Sequence, residues 1–216
     1  MRRLFIGLWP KAATQRALQP LSAQAVGHCG GRALKAEQWH ITLAFLGAVP
    51  ETRVQQLRAQ APQWQLPDAP FLLDSYGSFP GTGIVWVGSR DSASLQAMKQ
   101  CFTALWHYLR PLGFSAENRP FVPHVSLLRR AVRSDIRNLP SFAPFGWHNQ
   151  ACYLIESRPT AQGSAYDPLA KIPLLAGGVD EGGHAIGEGK GTHVGSGSGS
   201  SSDSGAGGNA GRGCGA

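Results

Sequence analysis

The chain has 216 residues, of which 42% are hydrophobic and 15% charged, and its formal net charge is +7. No apolar stretch approaches the roughly 18 residues that a membrane-spanning helix requires, which excludes an integral membrane protein. The four cysteines (Cys29, Cys101, Cys152 and Cys214) form no zinc-like cluster, so we interpret them as reduced thiols. The apolar run in residues 1–10 is too short for a signal peptide. A cytoplasmic protein is therefore expected.

The composition changes near residue 176. Residues 176–216 are rich in glycine and serine and contain no aromatic residue. Such a segment cannot bury enough apolar surface to offset its ordering entropy, and we predict a disordered tail. With four acidic and two basic residues, the tail leaves a net charge of +9 on residues 1–175, the predicted folded domain. A basic body attracts RNA or phosphorylated substrates.

The predicted elements alternate between strands and helices, and the apolar spacing of each segment decides its type. A first strand lies within residues 1–10, and a helix over residues 11–26 is expected to bend or end early at Pro20. The first half continues with a strand at 40–46 that closes at Gly47, a helix at 51–60 and a strand at 71–76. The second half has a strand at 84–87, a helix at 92–110, a strand after Pro123, a short helix at 134–139 and closing strands at 142–148 and 151–156.

The order strand, helix, strand, short helix, strand thus occurs twice. This repetition predicts a duplicated α+β unit with two pseudo-symmetric lobes. The central strands of the two halves, at 40–43 and 124–127, would then line one cleft.

These two central strands carry the same motif, His-x-Thr/Ser. Because residues i and i+2 of a strand share a face, His40 lies beside Thr42, and His124 lies beside Ser126. The intervening apolar residues point into the core. One copy would more often be structural, but two copies facing each other across a cleft would form a symmetric site for a tetrahedral anion.

With these motifs, the chain resembles the two-histidine (2H) phosphoesterases, and specifically the RNA 2′,3′-cyclic phosphodiesterases once described as 2′-5′ RNA ligases. The similar segments are residues 3–8, 40–47, 119–127 and 153–157, which lie within residues 1–170. Ser126 stands where the family more often has threonine, and it keeps the hydroxyl. The resemblance implies a bilobal α+β fold in which two antiparallel-rich sheets face a central cleft, with the helices outside.

The resemblance also implies a reaction: hydrolysis of the 2′,3′-cyclic phosphate at an RNA end, or on a small cyclic nucleotide, to leave a 2′-phosphate. Neither a metal nor a cofactor is implied. By analogy, His40 is the general acid on the leaving 3′-oxygen and His124 is the general base on water, while Thr42 and Ser126 hold the phosphoryl oxygens. A monomer that needs neither a protein partner nor a membrane is expected, and 2′-5′ ligation would use the same site.

Several interpretations stay open. Arg129 and Arg130 either contact RNA phosphates or form a solvated strand end. Four aromatic residues are candidates for stacking on a base, with core packing as the alternative: Trp39, Phe45, Phe79 and Tyr166. Five histidines receive no catalytic role: His28, His107, His148, His184 and His193. Alternative functions are a phosphodiesterase on 2′-5′ oligonucleotides or cyclic ADP-ribose phosphate, and a non-catalytic RNA-binding module.

Overall fold

The computed structural model describes residues 1–79, 81–133, 135–161 and 163–175. Within them lie three α-helices: α1 (Ala12–Cys29), α2 (Glu51–Gln60) and α3 (Ser92–Leu109). Short 3-10 helices occur at Ala36–Gln38, Ala61–Gln63 and Arg110–Leu112. In this described part, none of the helices is both long enough and apolar enough to cross a bilayer. The predicted tail, residues 176–216, lies outside the described residues.

The strands of the described residues supply most of the fold. They are β1 (Arg2–Pro10), β2 (Arg32–Ala33), β3 (Ile41–Val49), β4 (Leu66–Pro67), β5 (Phe71–Leu73), β6 (Ser75–Phe79), β7 (Ile84–Gly88), β8 (His124–Arg129), β9 (Phe145–Trp147), β10 (Asn149–Thr160), β11 (Gly163–Ile172) and β12 (Leu174–Leu175). Eight strands form one antiparallel sheet in the order β11-β10-β1-β3-β8-β7-β6, with β2 added beside β8. The remaining strands form the pairs β12-β4 and β5-β9.

The order of the large sheet is symmetric about its centre, where β3 meets β8. In the first half, β1 lies on the outer side of the motif strand β3, and β10 lies beyond β1. In the second half, β7 lies on the outer side of the motif strand β8, and β6 lies beyond β7. The two halves join through the pair formed by Ile41 and Val125 and through β2 of the first half, which pairs with β8 of the second. The α+β class and the antiparallel-rich sheet are therefore confirmed, and the two predicted lobes are joined edge to edge into one continuous sheet.

The two faces of this sheet have different roles. On β1, Leu4, Ile6 and Leu8 are buried and belong to one apolar cluster with side chains of α1 and α3. Because side chains alternate along a strand, Phe5 and Trp9 point to the opposite face. Both of these rings contact His40. The helices therefore cover one face and leave the other face to the histidines.

Helix α1 is longer than the sequence predicts. It continues through Pro20 to Cys29, although proline removes a backbone hydrogen bond. Leu18, Leu21 and Ala25 lie on both sides of Pro20 and are buried against the sheet. Their burial offsets the cost of the proline, which lies on the exposed side of the helix.

Three other predictions were wrong in detail. The single strand predicted at 71–76 is divided at Asp74, whose carboxylate accepts a hydrogen bond from the Arg90 N–H at 2.9 Å. The helix predicted at 134–139 is absent from the described residues 135–139. There the Asp135 carboxylate instead accepts hydrogen bonds from the backbone and side chain of Arg137. The strand predicted at 142–148 is shortened to β9, and β11 was not predicted at all.

Candidate active site

The register of β3 and β8 brings the two motifs together. Ile41 pairs with Val125, and both side chains are fully buried on the core face. Extended by one residue in each direction, this antiparallel register sets His40 opposite Ser126 and His124 opposite Thr42 on the other face. Diagonal neighbours in such a pair lie about 7–8 Å apart, which is the relation between the two histidines.

Both imidazole rings are held by the same local hydrogen bond. Nδ1 of His40 lies 2.6 Å from the carbonyl oxygen of Gln38, and Nδ1 of His124 lies 2.7 Å from that of Val122. Because a carbonyl oxygen only accepts, Nδ1 is the donor in each ring. Nε2 is therefore the nitrogen of each ring that can take up or release a proton.

Aromatic side chains surround His40 on several sides. The Trp9 ring stacks on the imidazole with centroids 4.9 Å apart and an interplanar angle of 13°. The centroid of Phe5 is 4.9 Å away, and Tyr166 approaches edge-on at 5.3 Å. Tyr166 is brought there by β11, since the Gln38 side chain donates a hydrogen bond to the Ser164 carbonyl at 2.7 Å. These contacts leave the ring little freedom to rotate.

His124 has fewer aromatic neighbours. Phe79 contacts it edge-on with centroids 4.9 Å apart, and Trp86 lies 5.7 Å away. Of the four aromatic residues singled out in the sequence, Phe79 and Tyr166 thus contact a histidine. Phe5, Trp9 and Trp86 were missed, although the alternation of Phe5, Gly7 and Trp9 along the first strand could have indicated them.

The surroundings of the histidines favour their neutral forms. Burial is the largest cause that lowers the pKa of His40 to about 4, and the positive charges of His124 and Arg129 lower it further. Burial also lowers the pKa of His124, with a contribution from Arg119. The effect of His124 on the pKa of His40 agrees with the diagonal relation given by the register.

Arg129 lies at the same site. It ends β8, its positive charge affects the pKa of both His40 and Tyr166, and it is half-buried. Its Nε atom is buried without a hydrogen-bond partner among the described residues. A buried donor of this kind is costly unless a ligand oxygen satisfies it, so Arg129 does not behave as a solvated strand end.

The other candidates lie elsewhere. Arg130 is exposed and has a positive φ of 56°, as a solvated strand end would. Trp39 is a core residue, whereas Phe45 remains 49% exposed. Three of the histidines without a predicted role lie in α1, α3 and the β9–β10 turn: His28, His107 and His148. His184 and His193 lie outside the described residues.

Among the residues that the structure describes, no three His, Cys, Asp or Glu side chains lie close enough together to hold a metal ion. The candidate site instead combines two imidazoles, two hydroxyls and one guanidinium. This set can hold an anion and move protons.

Sequence comparison gives a consistent group of relatives. The chain is 29% identical over 167 residues to an RNA 2′,3′-cyclic phosphodiesterase of Geobacillus stearothermophilus, covering 72% of this chain and 50% of that protein. It is 34% identical over 112 residues to the enzyme of the same name from Escherichia coli, covering 52% of this chain and 62% of that one. The chain thus spans about half to three fifths of the length of these two relatives.

Solved structures and a family profile agree with these relatives. The apo crystal structure of LigT from Escherichia coli is 26% identical, with a TM-score of 0.64 over 80% of this chain and 97% of that one. A structure of LigT complexed with 3′-AMP gives 0.63 at 25% identity, covering 80% of this chain and 98% of that one. The profile of the 2′-5′ RNA ligase superfamily matches residues 10–145. The duplicated sheet, the paired histidine motifs and this match together show that the chain belongs to the 2′-5′ RNA ligase superfamily.

Proposed function

We propose that the protein hydrolyses RNA 2′,3′-cyclic phosphate ends to 2′-phosphomonoesters without a metal ion. The observation that carries the proposal is the diagonal relation of His40 and His124 on one sheet face, each ring donating through Nδ1 to a backbone carbonyl. The curated relatives named RNA 2′,3′-cyclic phosphodiesterases support it. LigT complexed with 3′-AMP also supports a site that accepts a nucleotide phosphate.

The reaction needs one proton to be removed and one to be delivered. His124 accepts a proton from water at Nε2 while the water oxygen attacks phosphorus. The bond between phosphorus and the ribose 3′-oxygen breaks, and His40 delivers a proton from Nε2 to that oxygen. The products are a 2′-phosphate and a free 3′-hydroxyl. A positioned acid and base each contribute roughly 10²- to 10⁴-fold to such a step.

The phosphoryl oxygens need donors that are already in place. Thr42 and Ser126 supply hydroxyls on the same face as the histidines, and the unpartnered Nε of Arg129 supplies a charged donor. Donors held in position stabilise the charge that develops on these oxygens in the transition state. The anion also raises the proton affinity of both imidazoles, which counters the effect of burial on their pKa values.

The same arrangement would also support ligation. If the 5′-hydroxyl of a second RNA replaces water, the same base removes its proton and the same acid protonates the leaving 3′-oxygen. The product is then a 2′-5′ linkage. The superfamily to which the chain belongs takes its name from this reaction. We propose that hydrolysis predominates because water is in large excess.

The activity assay uses an RNA oligonucleotide that ends in a 2′,3′-cyclic phosphate, with phosphorus NMR to identify the position of the phosphate in the product. We expect His40→Ala and His124→Ala each to lower turnover by roughly 10²-fold or more. His107→Ala is the matched control, because this exposed histidine lies in α3 and has no hydroxyl partner. EDTA should leave the rate unchanged. Full activity in either site variant, or strict dependence on a metal, would contradict the proposal.

The roles of the two histidines require a separate substrate. A cyclic phosphorothiolate with sulfur in place of the 3′-oxygen has a leaving group that needs no proton. It should restore turnover to the variant that lacks the general acid and leave the variant that lacks the base inactive. Rescue of His40→Ala supports the proposed roles, and rescue of His124→Ala would reverse them.

We also propose that the enzyme is a monomer and acts in the cytoplasm. The two histidine strands come from one chain, which supports a monomeric enzyme. The three cysteines of the described part (Cys29, Cys101 and Cys152) are free and buried, which suits a reducing cytoplasm. Light scattering tests whether the protein is a monomer.

In the same product assay, 2′-5′ oligonucleotides and cyclic ADP-ribose phosphate test the alternative substrates, and binding without turnover would indicate an RNA-binding module.

A further inference from the structure

A cavity of about 460 Å³ opens beside the histidine pair. It is lined by Arg3, Leu4, Phe45, Leu46, Gly47, Glu117 and Arg119. These residues come from β1, from the outer half of β3 and from the segment that precedes β8. Neither histidine, neither motif hydroxyl nor Arg129 lines the cavity, so the proposed hydrolysis leaves it unused.

The cavity is connected to the histidine pair by aromatic rings. Phe5 contacts His40 at 4.9 Å and Phe45 at 6.3 Å, and Phe5 and Phe45 are paired in the β1–β3 register. In the β1–β3 register Thr42 pairs with Gly7 and Phe45 with Phe5, so Phe45 lies two β1 residues beyond Thr42, about 7 Å along the strand. A ligand that has its phosphate between the histidines therefore reaches this cavity through one further unit of a chain.

Phe45 has the exposure of a binding residue rather than a core residue. Its side chain is 49% exposed, whereas the neighbouring Phe5 is 3% exposed. Phe45 is therefore a large apolar ring that the fold leaves at the wall of a cavity. Such a ring offers a stacking surface to any nucleobase.

The charged residues of the cavity favour an anion. Arg3 and Arg119 face it together with one acid, Glu117, which contacts Arg119. The lining therefore has a net charge of +1. Both arginines line the cavity, and Arg3 is near enough to Tyr166, and Arg119 near enough to His124, for its charge to affect the pKa of that residue. Guanidinium groups at that position suit a second phosphate group.

We propose that this cavity is a subsite for the nucleotide that precedes the cyclic-phosphate end of the RNA. The base of that nucleotide stacks on Phe45, and the phosphodiester that joins it to the terminal nucleotide lies between Arg3 and Arg119. This inference rests on the proposed function, since it assigns a substrate class to the same cleft: RNA chains rather than mononucleotides.

The test compares two substrates, a nucleoside 2′,3′-cyclic phosphate and a dinucleotide that ends in the same cyclic phosphate. The measured quantity is the kcat/KM of the dinucleotide divided by that of the mononucleotide. We expect Phe45→Ala to lower this ratio by about 5-fold or more, since base stacking on an aromatic side chain is generally lost on truncation to alanine. Phe45→Trp should keep the ratio, and Phe45→Leu, which is apolar but cannot stack, should lower it. Val132→Ala is the control, because Val132 is 85% exposed and does not line the cavity.

The phosphate contact is tested on the substrate. Replacing the internal phosphodiester by an uncharged methylphosphonate should lower kcat/KM several-fold in the wild-type enzyme and much less in Arg119→Ala. Arg58→Ala, which removes an exposed arginine from α2, should respond to the methylphosphonate as the wild type does.

The outcomes separate the two proposals. If both substrates are hydrolysed but Phe45→Ala lowers their kcat/KM values equally, or lowers neither, the subsite is refuted and the hydrolase stands. If the wild-type enzyme hydrolyses neither substrate, the proposed function fails and the subsite fails with it. Melting temperatures of all variants are compared, and the retained ratio in Phe45→Trp shows that a change at this position does not itself disturb the fold.

Discussion

The two histidines use identical hydrogen bonds but have unequal surroundings. Each donates through Nδ1 to the carbonyl oxygen two residues earlier in the chain. His40 is enclosed by Phe5, Trp9 and Tyr166, and burial lowers its pKa to about 4. His124 contacts two aromatic rings, and its pKa is lowered as well. In the protein without substrate, the histidine that is assigned as the acid by analogy is therefore already neutral near pH 6.

This inequality predicts the pH dependence of kcat/KM, which reports the free enzyme. The productive form has one charged and one neutral imidazole. As the pH rises, the first proton leaves near pH 4, and the second leaves as the pH passes the lowered pKa of His124. We expect a bell-shaped profile with its maximum below pH 6.5, the ordinary imidazole pKa. An optimum above pH 7 in steady-state assays would contradict the effect of burial.

The same profile is compatible with either assignment of roles. The two imidazoles are coupled and share a single proton. The pH profile follows the total number of protons on the pair, which is the same whichever ring holds the proton. With His40 as the acid, the reaction draws on the minor form in which His40 holds the proton, and the bound phosphate favours that form through its negative charge. The phosphorothiolate substrate, not the pH profile, therefore distinguishes the two roles.

Strand β1 lets His40 pack closely against it because residue 7 is a glycine and has no side chain. Gly7 pairs with Thr42 of β3. A Cβ atom at residue 7 would lie 2.9 Å from the Ile41 carbonyl oxygen and 3.3 Å from Cδ2 of His40. The glycine therefore lets β3 and the imidazole approach β1 closely. Since the obstacle is backbone, a larger residue must displace β3 or the ring.

We expect Gly7→Ala to lower kcat/KM on the order of 10²-fold, which is the usual cost of misplacing a catalytic group by about 1 Å. Gly27→Ala is the matched control, because a Cβ atom there meets nothing within 4 Å. Gly27 lies inside α1, where alanine should raise the free energy of unfolding by roughly 0.5–1 kcal/mol and leave activity intact. The measurements are kcat/KM and thermal unfolding of both variants. Wild-type activity in Gly7→Ala would refute the packing role.

The elements that the sequence predicted well are those in which apolar and polar residues recur with a clear period. The alternation around His40 and His124 correctly separated the cleft face from the buried residues Ile41 and Val125. In contrast, β11 contains Pro168 and alternates poorly, because most of its residues are only half-buried at the edge of the sheet. Its contribution to the site, Tyr166 against His40, depends on a tertiary contact that local periodicity does not contain.

Across the whole molecule, the pseudo-symmetry explains why the two motifs meet. Each half places its motif strand at the inner edge of its own set of strands, and the halves join along these edges. Residues more than 80 positions apart in the chain therefore become neighbours on one face. The sequence predicted this duplication from the repeated order of elements, but the strand pairs that join the halves depend on how two sheet edges fit together.

The C-terminal boundary that we predict for the folded domain can be tested by truncation. The described elements end with β12 (Leu174–Leu175), which pairs with β4, so we propose that a chain ending at Gly178 keeps the complete domain. The removed residues contribute a charge of −2, and the basic residues of the cleft all remain. We therefore expect an unchanged melting temperature and an unchanged kcat/KM on a cyclic-phosphate oligonucleotide. The decrease of kcat/KM with increasing salt should also persist, because the residues of the proposed phosphate contacts are retained. A truncated chain that melts earlier, or that loses activity while keeping its melting temperature, would show that residues 179–216 take part in the fold or in substrate binding.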